Sequence, residues 1–192
     1  MGRSIPSFRQ LIEIERLNWS EFKKKLSTKN EKEAFDIIFE NAKLYSQYLS
    51  NANRPIPIEP IMMGALFHTY KTLFKLSGAD KLSEDLILKQ VTEWERDKSL
   101  TKALFDKTYE RWRGLLYALH KDDREQLIRM FEDCCDGLGE GTAKTVLDKD
   151  SFLSIYLFLC ILKQNQDLIL RIKNSSKKES IKAGDTLLDF ID

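Results

Sequence analysis

The chain has 192 residues, 42% of them hydrophobic and 32% charged, with 8 Gly and 4 Pro, a composition that excludes a fibrous or largely disordered protein. Lys plus Arg (31) and Asp plus Glu (30) nearly cancel, so no chain-wide basic surplus demands nucleic acid. The charge is uneven nonetheless. Residues 1–30 carry seven basic side chains against three acidic ones, residues 171–182 five against one, and the last ten carry three Asp and no base.

Arg3 and Arg9 flank only Ser4 to Phe8, so no signal peptide is read. The longest apolar stretch, Phe152 to Leu162, has 11 residues where a membrane span needs about 20, and it reads as a buried helix. Cys134, Cys135 and Cys160 then read as reduced thiols, and the expected location is the cytoplasm.

Apolar residues recur at three- and four-residue steps nearly throughout, and no segment alternates with β-branched residues. The expected fold is an all-α bundle of about seven helices. The first runs through Phe8, Ile12, Trp19, Phe22 and Leu26, capped by Ser7 and Gln10. The second starts at the cap Asn30 with Glu33 and carries Ala34, Ile38, Ala42, Tyr45 and Leu49, broadened by Phe35 and Phe39. Arg54-Pro55-Ile56-Pro57 breaks it, Pro60 suits the first turn of a third helix, and Ser77-Gly78 closes that helix after Leu76. A fourth is expected from Glu84 to Arg96 with Ile87, Val91 and Trp94 inward, and a fifth from Leu100 to Leu119. A sixth is capped by Asp122 and Glu125 and ends at a loop of Gly137, Gly139 and Gly141; a seventh runs from about Asp150 to Ile172.

An internal repeat underlies this pattern, or amphipathic helices merely resemble one another. Trp19, Phe22 and Leu26 align with Trp112, Leu115 and Leu119 at a spacing of 93. At 92, KNEKEAFDIIFENA (29–42) aligns with KDDREQLIRMFEDC (121–134), Leu66 with Phe158 and Lys71 with Lys163. The organisation this suggests is two tandem three-helix units: residues 1–80, then a linker helix and second unit over 81–173, followed by a flexible tail, 174–192. The opening MGRSIPSFR, the Trp19-to-Leu26 helix, Lys29 to Phe39 and Pro55 to Met63 resemble a group of short, uncharacterised archaeal proteins over about the first 75 residues. That resemblance implies a helical fold and lends no activity.

No catalytic constellation emerges. His68, His120 and the three cysteines lack the C-x-x-C or paired-His spacing of a metal site, so no metal and no cofactor is expected. Glu13/Glu15 and Asp122/Asp123 read as solvated faces or caps, and Gly137 to Gly141 lacks the lysine placement of a phosphate loop. The expectation is a protein that is not an enzyme. Arg3, Arg9, Lys23, Lys24 and Lys25 give the first helix a basic bias, a candidate nucleic-acid contact that is weak or indirect, because Phe8, Trp19 and Phe22 follow the buried period.

After Ile172 the chain turns polar, and Lys173 to Ser180 reads as a tether. Apolar residues return at Gly184-Asp185-Thr186-Leu187-Leu188-Asp189-Phe190-Ile191-Asp192, where one helical turn would put Leu187, Phe190 and Ile191 on one side. This end resembles the clamp-interacting peptide, or PIP box, found at the C-termini of archaeal replication and repair proteins. Leu187 stands at its aliphatic position and Phe190 and Ile191 at its two bulky positions; Thr186 and the upstream Lys182 also suit it. Gly184 stands where the motif has Gln. The resemblance implies an accessory or adaptor protein that binds the DNA sliding clamp through its tail while its body engages another replication or repair protein. The competing expectation is a helical scaffold or oligomerisation protein whose tail packs on its own core.

Overall fold

Ser7 opens the first helix as its sequence requires: Ser7 Oγ accepts from the Gln10 amide at 3.3 Å, and Gln10 Oε1 accepts from the Ser7 amide at 2.8 Å. The computed structural model describes residues 5–78, 100–149 and 152–188, with the backbone path alone for 177–188. The first helix is not continuous to Leu26. It bends at Trp19 (φ −91°, ψ 10°), giving α1 (Phe8–Asn18) and α2 (Ser20–Lys25). Asn18 and Ser20, whose side chains compete with helical hydrogen bonding, flank the bend.

Helix α3 (Lys29–Lys43) is capped by Thr28 rather than Asn30, with Glu31 rather than Glu33 as its partner. Thr28 is still extended (φ −110°, ψ 157°), so Asn30 already lies in the first turn. The helix turns at Leu44 and Tyr45 and resumes as α4 (Ser46–Leu49) and a 3-10 turn (Ser50–Ala52), which ends on left-handed Asn53 (φ 48°). Helix α5 (Ile58–Leu76) carries Pro60 in its first turn and is closed by Ser77 and left-handed Gly78 (φ 67°), as expected. The helix expected over Glu84 to Arg96 lies outside the described residues.

Helices α6 (Leu100–Ala118), α7 (Lys121–Asp148) and α8 (Leu153–Leu188) complete the bundle, and the fold is all-α. The expected glycine loop and the expected tail also need correction. Gly137, Gly139 and Gly141 do not form a loop: α7 runs through them, because Ala143 and Val146 beyond them are buried with Leu104, Cys135 and Leu153. That burial outweighs a cost of about 1 kcal/mol per helical glycine. Helix α7 also begins after His120, two residues ahead of the expected cap at Asp122.

The second correction concerns the segment after Ile172, where the helix continues to Leu188 instead of giving way to a tether. Lys173 to Ala183 contains neither Gly nor Pro, and its Lys, Glu and Ala favour helix. Ser175 and Ser176 turn their hydroxyls back onto the Arg171 and Ile172 carbonyls (3.0 and 3.1 Å). Leu153–Ser176 of this helix is, by length and composition alone, long and apolar enough to cross a membrane, a wider apolar region than Phe152 to Leu162. Its Leu153, Leu157, Ile161 and Leu168 are buried in the protein.

Helix α5 packs against α3 on one side and α8 on the other, α6 packs against α7, and α7 against α8. The main core therefore joins both halves, from Ile12, Phe39 and Phe67 to Trp112, Phe131 and Ile161. The aligned segments share a buried face: Phe35, Phe39 and Ala42 correspond to Leu127, Phe131 and Cys134, all buried, and the caps Thr28 and His120 are again 92 apart. The aligned tryptophans differ. Trp112 is fully buried, whereas Trp19 is 45% exposed.

Two glycines test this packing with opposite signs. A Cβ on Gly114 would overlap the Asn51 carbonyl oxygen, where α6 presses on the 3-10 turn, so Gly114→Ala should cost about 2–3 kcal/mol by urea unfolding. Gly137 is exposed in mid-helix with nothing near its Cβ position, so Gly137→Ala should stabilise by about 0.5–1 kcal/mol. Equal effects of the two changes would contradict the fold.

Candidate functional site

The candidate docking residues lie at the far end of α8. Among the side chains described in that helix, Leu168 is the last that is buried, Ile172 is half-buried, and Lys173 to Ser176 are exposed. The backbone then continues as helix through Gly184, Thr186 and Leu187, while Phe190 and Ile191 lie outside the described residues. At 1.5 Å per residue Leu187 stands roughly 22 Å along the axis beyond Ile172.

The candidate basic surface is more neutral than its sequence suggests. Arg3 lies outside the described residues; Arg9 and Lys25 are exposed. Lys23 Nζ pairs with Asp36 at 2.5 Å and Lys24 Nζ with Glu21 at 2.6 Å, so two of the three consecutive lysines are tied to carboxylates. The aromatics correct the expectation in the other direction. The bend at Trp19 brings Trp19 and Phe22 to the surface (45% and 51% exposed), in edge contact with centroids 6.0 Å apart. From there a ladder of rings leads inward through Phe35 to Phe39, with centroid steps of 6.1 and 5.1 Å.

The carboxylates read as solvated faces instead hold elements together. Glu13 pairs with Arg16 and Lys43, joining α1 to α3, and those cations hold its carboxyl below the usual carboxylate range. Asp123 pairs with Lys71 across α5 and α7, and Lys71 also lies over the Phe67 ring at 5.5 Å. Beside this pair Tyr45 Oη is 3.5 Å from His68 Nδ1, and burial raises the Tyr45 phenol to about 12 while it lowers His68. Next along the seam Tyr70 donates to Asp133 Oδ2 at 3.4 Å. Burial pushes the Asp133 and Glu132 carboxyls up, aided by their acidic neighbours; the hydrogen bond from Tyr70 and then Arg129 partly offset the rise at Asp133, and Arg129 partly offsets that at Glu132.

Sequence reasoning missed this seam because its partners lie far apart in the chain: Lys71 meets Asp123, 52 residues on, and Tyr70 meets Asp133, 63 residues on. The seam supplies tightly held polar groups and no activated nucleophile; its phenols are pushed away from ionisation.

The three thiols are free, with Cys134 and Cys135 buried and Cys160 half-buried. Cys134 Sγ donates to Gln164 Oε1 at 3.2 Å, and Cys160 Sγ to the Cys134 carbonyl at 3.3 Å. Burial pushes Cys134 well up and Cys135 up to about 12, while the neighbouring Cys134 thiol and then Lys163 hold Cys160 below the usual thiol range. A cavity of about 10 Å³ among Leu104, Thr108, Cys135 and Leu153 has room for about one water molecule.

The family model of a domain of unknown function, DUF8156, matches residues 1–102, more than half of the chain. The chain belongs to this family. The DUF8156 region spans α1 to α5 and the start of α6, so it contains the surface aromatics, the α1–α3 ion pairs and one side of the seam; α7, α8 and the docking residues follow it. No curated protein and no solved structure matches the chain.

Two measurements check these electrostatics. A carboxyl whose pKa rises on folding holds its proton more tightly in the folded state, so stability falls as pH climbs from the ordinary carboxylate range through the raised value. Asp133→Asn keeps an acceptor for Tyr70 and removes that ionisation; between pH 4 and 7 the variant should lose less stability than the parent, and parallel pH–stability curves would contradict the assignment. In iodoacetamide labelling followed by mass spectrometry, Cys160 should react first in the native protein, and Cys134 and Cys135 only on unfolding.

Proposed function

We propose that this chain is a non-enzymatic helical accessory protein that docks on the DNA sliding clamp through its C-terminal end, its body engaging a second replication or repair protein. One observation carries the reading. Among the side chains described in helix α8, Leu168 is the last that is buried, Ile172 is half-buried and Lys173 to Ser176 are exposed, and the backbone continues as helix toward the residues that resemble the clamp-interacting peptide. A helical approach suits that chemistry, since one turn groups Leu187, Phe190 and Ile191 into an apolar plug for a pocket. Thr186 flanks the plug. Gly184, in place of the motif's glutamine, removes a polar side chain, so affinity rests on apolar burial.

Direct nucleic-acid binding is the weaker reading, because Lys23 and Lys24 are already paired. Cytoplasmic location follows from the clamp reading and is part of the proposal.

Titration of the full chain into the sliding clamp of the same cell should give micromolar binding or better, on the order of −8 kcal/mol. Phe190→Ala should abolish it. Absence of heat and of co-migration at 100 micromolar clamp would overturn the reading, as would binding that survives both Phe190→Ala and Leu187→Ala.

A further inference from the structure

Helix α7 aims its two adjacent cysteines at different neighbours, because successive residues of a helix are turned about 100° apart. Cys135 packs with Leu104 and lies in hydrogen-bonding contact with Thr108 of α6. Cys134 faces α8 instead. Its Sγ donates to Gln164 Oε1 at 3.2 Å, and its carbonyl accepts from Cys160 Sγ at 3.3 Å. Cys160 and Gln164 stand one turn apart, so a single strip of α8 brackets Cys134. The two thiols are in hydrogen-bonding contact as well.

One member of this pair is open and the other closed. Cys160 is half-buried, one helical turn from the exposed Lys163, whereas Cys134 is completely buried. The thiolate is the form that attacks an oxidant, and a neighbouring cation favours it. Lys163 supplies that charge to Cys160, and the Cys134 thiol supplies a donor.

We propose that Cys160 is a site of reversible oxidation by hydroperoxides, with Cys134 as the thiol that captures it in a disulfide between α7 and α8. In the first step the Cys160 thiolate attacks one oxygen of the peroxide. An S–O bond forms, the O–O bond breaks, and hydroxide leaves and takes a proton from solvent. The sulfur is oxidised to sulfenic acid and the peroxide is reduced. In the second step the Cys134 sulfur attacks the sulfenic sulfur. The S–S bond forms, the S–O bond breaks, and the hydroxyl departs as water with the proton that Cys134 gives up. Two thiols and one hydrogen peroxide become one disulfide and two waters, and a dithiol reductant returns both thiols.

Little is lost when the bond forms. The Cys134 carbonyl lies in mid-helix, where the backbone ladder also serves it, and half-buried Gln164 can turn its amide oxygen to water. Cys135 takes no part. It is turned toward α6, and consecutive Cα atoms, about 3.8 Å apart, fall short of the usual disulfide span. The pair lies beyond the family-matched residues and does not depend on the clamp reading.

The full chain is treated with a few equivalents of hydrogen peroxide, quenched with catalase, alkylated with N-ethylmaleimide in denaturant and digested without reduction. Titratable thiols should fall from three to one, with a linked peptide pair joining Cys134 to Cys160 and the maleimide on Cys135. Dithiothreitol should restore all three. Cys160→Ser should leave thiols that the same peroxide does not consume. In Cys134→Ala the oxidised Cys160 should accumulate as sulfenic acid and be trapped by dimedone; if that buried substitution prevents folding, the peptide map of the unaltered chain decides. The proposal is overturned if all three thiols survive peroxide, or if Cys160 proceeds to sulfinic acid while Cys134 stays free. A bond between Cys134 and Cys135, or one between two copies through Cys160, overturns it equally.

Discussion

The structure depends on the burial of α5 between α3 and α8. Ile61, Met63, Phe67 and Tyr70 are removed from water almost completely, on sides of the helix that face different neighbours. A fully buried aliphatic or aromatic side chain contributes about 1.5–3 kcal/mol, whereas a partly exposed ion pair such as Arg16–Glu13 contributes about 0–1 kcal/mol. The contacts of α5 therefore decide where every other helix lies. The ion pairs around Glu13, Lys43 and Asp36 fix the direction of α1 on α3 and add little to stability.

Around that helix the bundle uses polar groups sparingly and mostly at its seams. Arg54 and Arg111 converge on Glu59 (2.7 and 3.5 Å), joining the proline-containing turn before α5 to α6. Arg124 Nε and Nη2 donate to the Leu116 and Leu119 carbonyls at 2.9 and 3.1 Å, closing the turn between α6 and α7 by satisfying carbonyls that the end of α6 leaves open. The groups that meet across α5 and α7, Lys71 with Asp123 and Tyr70 with Asp133, sit between the two aligned halves of the sequence.

Much of this architecture was legible in the chain. Period and breakers locate α5 closely, because Pro60 and Gly78 act through local sterics that tertiary context cannot change. Misplaced boundaries have a common cause: local propensity was overruled by burial further along. Composition makes a loop of Gly137 to Gly141, but Ala143 and Val146 need partners in the core and carry the helix through. Trp19 and Phe22 keep a buried period, yet a bend that two polar neighbours permit rotates them outward. Of the candidate docking residues, the chain reveals their apolar pattern and the backbone adds a helix leading to them; neither reveals what they touch. The seam residues could not be read at all, since a pairing between Tyr70 and Asp133 leaves no trace in either one's neighbourhood.

The core shared between halves also bears on what the family boundary means. The matched region stops at residue 102, yet Ile61, Met63 and Phe67 within it are shielded partly by a helix that starts fifty residues later. A fragment cut at that border would leave the flank of its longest helix bare and would gather into aggregates or a loosely packed globule. The matched region and the unit that shields its apolar side chains thus end at different places in this chain.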